Sequence, residues 1–395
     1  MKRFLPLALA TVSIVACNKE DSDYIPVPVD PYPAITAAFG DNIDPESLPD
    51  YAGQTIPTYI NRDNTAENVI TDAGATLGRV LFYDKKLSSN NTIACASCHQ
   101  QAHAFGDPLT ASNGVNGVTA RHTMRLINAR FGFETHFFWD ERATTLEEQT
   151  TQPIQNHTEM GFSGQDGDQG IGDLVTKLQA VDYYKELFTL AFGDNTVTEA
   201  RIKDALAQFV RSIASFDSKY DAGRAQVTNN NVPFPNFTSQ ENQGKQLFTA
   251  PPTFDGNGNR TGGGVGCAGC HAGPEFDINP DSQNNGVTGS INPELAVELD
   301  NTRAPSLRDI VKKDGTLNGP FMHNGVFTTL DQVIEHYNAD IEPNRRLDPR
   351  LSPGGHVQRL NMTDDEKAAL KAFLLTLGGQ NVYTDVKWSN PFLSN

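Results

Sequence analysis

Between residues 171 and 220 the apolar positions recur three and four apart, the spacing of helices with one buried face. In "TEARIKDALAQFVRSIASFDSKY" (198–220), Ile202, Leu206, Phe209 and Ile213 fall on one side. The preceding "IGDLVTKLQAVDYYKELFTLAFG" has the same periodicity. In "TTLDQVIEHYN" (328–338), Thr328 or Thr329 stands as N-cap, and Leu330, Val333, Ile334 and Tyr337 share a face. At about 100° per residue His336 lies well off that face and is expected to point outward. Strand-type alternation is scarce. The pattern predicts a mainly α-helical chain.

The apolar run Phe4–Ala16 follows Lys2 and Arg3 and is too short for a stable bilayer anchor, but it fits an export signal. Ile14-Val15-Ala16-Cys17 resembles the lipobox of bacterial lipoproteins. Residues 1–17 are therefore expected to be a lipoprotein signal peptide, with lipid on Cys17 holding the exported protein on a bacterial membrane, facing the periplasm. The competing expectation is ordinary cleavage after Ala10. Residues 18–50, polar and Pro-rich, read as a tether to the folded body.

With 395 residues there is room for two domains. The formal net charge is −17, and removing Lys2 and Arg3 makes it two units more negative. Phosphate would be repelled, which excludes non-specific nucleic-acid binding as a main activity. A basic redox partner and plain solubility are equally compatible with this charge.

Of the five cysteines, Cys17 is assigned to the lipid, and the other four form two Cys-x-x-Cys-His units. These are Cys95, Cys98 and His99, and Cys267, Cys270 and His271. This is the attachment pattern of c-type haem, with two thioether bonds and the adjacent His as proximal iron ligand. A four-Cys zinc site does not require the two His, and Cys-x-x-Cys disulfides belong to βαβ redox folds, which the pattern lacks. Two covalent haems are expected.

The chain also repeats itself. Gly-x-x-Leu-Phe precedes each haem unit, at Gly78 and Gly244, and "FFWDERATTLEEQ" (137–149) aligns with "FMHNGVFTTLDQV" (321–333) at an offset of 184. The expected fold is mainly α, with two cytochrome c-like haem domains related by internal duplication. Their expected spans are 51–235 and 236–380, followed by a tail, 381–395. The Gly-rich "DGNGNRTGGGVG" (255–266) lacks the glycine and glutamate of a calcium loop and reads as a surface insertion.

The offset bears on chemistry. Tyr337 is a polar group on a buried stripe, either a core tyrosine with a bonded hydroxyl or a second axial ligand to the C-terminal iron. At the same offset the N-terminal half has Pro153, which cannot ligate. The N-terminal haem is thus expected to be open to peroxide. Glu159, six residues past Pro153, is the candidate proton shuttle, and His157 is its rival. A non-catalytic electron carrier needs a cap on that haem from His103, His122, His136 or His157; His103 is a poor candidate because it lies one turn beyond His99.

"FFWDERATTLEEQTTQPIQNHTEMGF", "FMHNGVFTTLDQVIEHYN" and the two Cys-x-x-Cys-His units resemble the bacterial dihaem cytochrome c peroxidase / MauG family. The resemblance covers most of residues 70–380. It implies His99 and His271 as proximal ligands, Trp139 as an electron relay between the haems, and Glu159 as peroxide acid/base. It places Gln149 in the active haem's pocket and Tyr337 on the second iron, as in MauG-like members. Reductively activated members carry a His in the loop after the first haem unit; here the matching stretch has none, and Gly114 stands at the best-aligned position. Asn318 and the Pro320 carbonyl match two ligands of the family's Ca²⁺, but His122 stands where an Asn is usual. The implied enzyme is an exported dihaem peroxidase that reduces hydrogen peroxide to water with electrons from a small redox protein. The alternative is a MauG- or MbnH-like enzyme that oxidises a residue on a partner protein.

Overall fold

A computed structural model describes residues 30–132, 136–278, 282–292, 294 and 297–393. The expected signal peptide and Cys17 lie outside them. The chain is mainly α-helical, and its short strands serve only as braces around the second Cys pair. No helix among the described residues is long and apolar enough to cross a membrane.

The N-terminal half is built from α1 (Pro33–Phe39), α2 (Asp72–Tyr83), α3 (Cys95–Cys98), α4 (Leu146–Thr151), α5 (Ile171–Gln179), α6 (Asp182–Phe192) and α7 (Glu199–Ser212). The stripe Ile202, Leu206, Phe209 and Ile213 is buried as the periodicity predicts. Helix α2 crosses α7 at Gly78, where a Cβ would lie 2.0 Å from the Ala205 carbonyl oxygen and 2.7 Å from the Phe209 Cβ. The glycine of the first Gly-x-x-Leu-Phe is needed for this approach, and the motif's Leu81 and Phe82 fill the core beside it.

The C-terminal half repeats the device. After α8 (Lys219–Arg224), helix α9 (Ser239–Thr249) crosses α11 (Asp364–Leu374) at Gly244, where a Cβ would lie 1.9 Å from the Ala369 carbonyl oxygen and 2.9 Å from the Phe373 Cβ. Strands β1 (Pro252–Phe254) and β2 (Arg260–Gly263) form a hairpin that carries the Gly-rich insertion. Strands β3 (His271–Ala272) and β4 (Asp277–Ile278) pair just after the second haem unit, and α10 (Leu330–Ala339) carries Tyr337.

The 184-residue offset persists in three dimensions. Phe137 bridges Ala143, and Phe321 bridges Phe327. Phe138 and Met322 both take positive φ, at 74° and 69°. Thr145 and Thr329 each cap the following helix by accepting from the backbone N–H three residues on.

Three expectations change. Residues 33–50, expected within the tether, pack on the N-terminal core instead: Ile35, Phe39 and Ile43 are buried, and the Glu186 carboxylate accepts from the Ala34 and Ile35 N–H groups. Proline-rich composition hid these three apolar residues. The boundary at 235 also falls too late, because Tyr220 and Phe234 already belong to the C-terminal core. Finally, segment 381–395, expected as a tail, packs on the N-terminal half over its described part. Val382 and Trp388 join the N-terminal core, and the Arg79 Nε donates to the Ser389 carbonyl at 2.6 Å.

Candidate active site

Each Cys-x-x-Cys-His unit lines its own cavity. Cys95, Cys98 and His99 border one of about 490 Å³; Cys267, Cys270 and His271 border one of about 670 Å³. Both volumes lie in the range of sites that hold a cofactor. Because the Cys pairs face separate cavities, a shared four-Cys zinc site is excluded. The described residues contain no cluster of three or more His, Cys, Asp or Glu able to hold a metal ion.

The two histidines are held alike. His99 Nδ1 bonds the Phe105 carbonyl at 2.9 Å, and His271 Nδ1 bonds the Phe276 carbonyl at 3.3 Å. Both phenylalanines are fully buried and left-handed, with φ of 60° and 54°, a strain that turns each carbonyl toward its histidine. This second bond fixes the ring and leaves Nε2 for a metal. Burial lowers the pKa of both rings, that of His271 to about 4, so each stays neutral as a ligand must.

Gly114, Gln149, Pro153 and Glu159 gather on the N-terminal cavity. Burial raises the Glu159 carboxyl above its ordinary range, with Arg142 opposing the shift. At Gly114 a Cβ would lie 2.1 Å from the Thr158 carbonyl oxygen and 2.9 Å from the Glu159 Cα. The Val115 N–H donates to the Glu159 carbonyl at 3.0 Å, so the 114–116 loop buttresses the segment bearing Glu159. The rival His157 does not line the cavity; its half-exposed ring pairs with Asp168 at 2.8 Å. His103 and His136 also lie off both cavities, whereas His122 borders both and bonds the Leu109 carbonyl at 2.9 Å.

The two cavities share a wall. His122 to Arg125, Trp139, Arg303 and Pro305 line both. Trp139 is anchored there: its Nε1 donates to the His122 carbonyl at 2.7 Å, and its own carbonyl accepts from the Thr302 N–H at 2.9 Å. Its ring meets that of His323 edge-on, with centroids 6.2 Å apart. Trp139 and His323 occupy equivalent places in the 184-residue repeat.

A family model described as di-haem cytochrome c peroxidase matches residues 72–229. The chain is 30% identical to the methylamine utilization protein MauG of Methylophilus methylotrophus over 322 residues, spanning 79% of this chain and 84% of that protein. It belongs to the dihaem cytochrome c peroxidase / MauG family. The cytochrome c551 peroxidase of Nitrosomonas europaea is 28% identical, over 77% of this chain and 80% of its own. Among solved structures, a MauG-like protein associated with microbial copper homeostasis superposes with a TM-score of 0.65 at 27% identity, covering 86% of this chain and 99% of that one. The fold is also that of the dihaem peroxidase BthA from Burkholderia thailandensis, with a TM-score of 0.59, 21% identity, and coverage of 84% of this chain and 89% of that one. The chain is thus an oxidoreductase of this family acting on peroxide, and it uses c-type haems.

Against that family background, three placements matter. Tyr337 lines the C-terminal cavity, and its hydroxyl oxygen accepts from Asn285 Nδ2 at 3.1 Å. His336, expected to point outward, is buried: its Nε2 bonds the Asn285 carbonyl at 2.9 Å, because the 284–287 loop covers that side of α10. Asn318, implied as a calcium ligand, has its amide committed within the protein. Its Oδ1 meets His103 Nδ1 at 3.2 Å, and its Nδ2 donates to the carbonyls of His103 and Asp309. Pro320 lines the C-terminal cavity beyond a cis Gly319–Pro320 bond, and among the described residues no group of three or more His, Cys, Asp or Glu is placed to hold a metal ion. This arrangement lends calcium no support.

Sequence reasoning missed Asn285, Met322, His323 and Arg303. Asn285 and Arg303 sit on loops without periodicity or motif, whereas Met322 and His323 lie in the repeated stretch 321–333, where the 184-residue offset pairs them with Phe138 and Trp139.

Proposed function

We propose that the chain reduces hydrogen peroxide at the N-terminal haem and receives the two electrons through the C-terminal haem from a small redox protein. Two protons and two electrons turn one peroxide into two waters. Cys95 and Cys98, and Cys267 and Cys270, would hold the haems by thioether bonds, with His99 and His271 each offering Nε2 to the iron. The bound haems supply an iron for peroxide and a store for oxidising equivalents. Glu159 accepts the proton from the proximal peroxide oxygen and returns it to the distal oxygen as the O–O bond breaks. Gln149 orients the peroxide with its amide, and Trp139 passes electrons across the shared wall. Tyr337 would offer its phenol oxygen as a further donor to the C-terminal haem's iron. The two halves are duplicated cytochrome c-like domains, and an exported chain lipidated on Cys17 carries them in the periplasm.

The observation that carries the reading is the contact of Gly114 with the backbone of Thr158 and Glu159. It leaves no room at that position for a side chain that could close the N-terminal haem. The all-ferric protein should therefore react with peroxide without prior reduction. Stopped-flow absorbance tests this: a rapid Soret change supports an open haem, whereas silence until one electron is supplied means a ligand closes it.

The same observation, together with Tyr337, favours a second reading. A member needing no reductive activation, with an oxygen ligand on the second haem, suits oxidation of a residue on a partner protein. Turnover that consumes peroxide with no small donor while modifying an added partner would select this reading.

A further inference from the structure

Tyr337, with its phenol oxygen, and Met322, with its thioether sulfur, are among the side chains of the C-terminal cavity that carry a donor atom for iron, as are His122, His323, Met124 and Met362. One side chain touches both Tyr337 and Met322. Asn285 Nδ2 lies 3.1 Å from the Tyr337 oxygen and 3.4 Å from the Met322 sulfur.

The orientation of that amide is pinned. Asn285 Oδ1 accepts from the Val287 backbone N–H at 3.1 Å, so a flipped amide would set its NH₂ against another N–H. The NH₂ must therefore face the cavity and donate, one hydrogen to each partner. The Tyr337 oxygen is the acceptor of this pair and keeps a lone pair for the cavity.

The loop is clamped as well. The Asn285 carbonyl takes the bond from His336 Nε2, one residue before Tyr337 on α10. Asn284 Oδ1 accepts from the Gly286 N–H at 2.8 Å and from Asn344 Nδ2 at 2.9 Å. Donor and phenol are thus fixed to the same helix.

We propose that Asn285 is a positioning residue for the C-terminal haem, its amide holding the Tyr337 oxygen in place as the iron's axial group and drawing charge from it. This rests on Tyr337 being that ligand. A hydrogen bond to an anionic oxygen ligand weakens its donation to ferric iron, so the amide sets the haem's potential above that of an unbonded phenolate.

The test is Asn285→Ser in the dihaem protein. A serine Oγ can still accept from the Val287 N–H, as hydroxyls do in turns, but is too short to reach Tyr337. Asn285→Ala, without that acceptor, separates loosening of the loop from loss of the donor. The same changes in a Met322→Leu background keep the thioether from taking the ligand's place. Spectroelectrochemistry should show the C-terminal haem at lower potential in the serine variant in both backgrounds. The phenolate-to-iron charge-transfer band should move to longer wavelength. An unchanged or raised potential with an unmoved band overturns the inference. Tyr337→Phe distinguishes the two levels. If it abolishes the band while Asn285→Ser does nothing, only the role of Asn285 falls; if it leaves band and potential intact, the ligand reading falls too.

Discussion

Glu159 carries the chemistry proposed for the N-terminal cavity, and its burial has a measurable consequence. An exposed Glu loses its proton near pH 4.3, at roughly the ordinary value. Burial raises the Glu159 pKa, so the carboxylate that accepts the peroxide proton forms only at higher pH. The bimolecular rate with peroxide should therefore rise with pH through an inflection above the ordinary carboxylate range. Glu159→Gln should lose that inflection and slow the reaction by about 10²–10⁴-fold, the usual share of a general acid/base. A pH–rate profile unchanged in the Gln variant would remove Glu159 from the role. Gly114→Ala probes the neighbouring backbone. Its Cβ has no room beside the Thr158 carbonyl, so the segment bearing Glu159 must shift. Peroxide reactivity should drop while the proximal-ligand spectrum of the N-terminal haem stays as it was.

At the scale of elements, two helix crossings rest on one glycine each. Gly78→Ala and Gly244→Ala put a methyl group against a backbone carbonyl of the facing helix, which cannot yield as a flexible side chain would. Each should cost about 1–3 kcal/mol, as overpacking usually does, and lower the midpoint of denaturant unfolding. An alanine variant as stable as wild type would mean the helices slide apart freely. Here the sequence was largely legible. The helical stripe of 202–213 and the cap at Thr329 reflect local spacing, and the 184-residue repeat reflects matching residue types in two stretches. His336 was misread for a tertiary reason: off the apolar face of its own helix, it is covered by a loop fifty residues earlier in the chain. Residues 33–50 were misread because three buried apolar side chains among prolines give no periodicity.

Over the whole molecule, buried charge joins segments far apart in sequence. Arg308, fully buried, donates to both oxygens of Asp221 at 2.9 Å, and its Nε lies 3.7 Å from Glu275. Burial pushes the Glu275 carboxyl up to about 8 despite Arg308. The folded state then holds a proton that the unfolded chain has already released, so stability falls as pH rises from the ordinary carboxylate range to about 8. Glu275→Gln should flatten that decline, with a gain over wild type of about 1–3 kcal/mol at the alkaline end. Thermal unfolding of both proteins between about pH 5 and 9 reads it directly, and parallel curves would refute the assignment. Trp139, in the wall common to both cavities, belongs to the same scale. Trp139→Phe should leave the initial reaction with peroxide intact and slow electron exchange between the haems, seen as a lag in the C-terminal haem's absorbance change. No lag would show that another route crosses the wall.

What the sequence determined by itself is whatever short-range covalent spacing dictates. Two Cys-x-x-Cys-His units, the helical stripes and the glycines before each unit are properties of neighbours along the chain, and the repeat follows from matching two of its stretches. What only the tertiary structure decided is which side chains from distant loops converge. It set Glu159 rather than His157 on the cavity, put Trp139 in a shared wall against His323, and turned the Asn285 amide onto Tyr337. These meetings join residues up to 184 positions apart, which no local pattern pairs with one another. Their placement follows from packing of the two cores and from the need of each buried polar group for a partner.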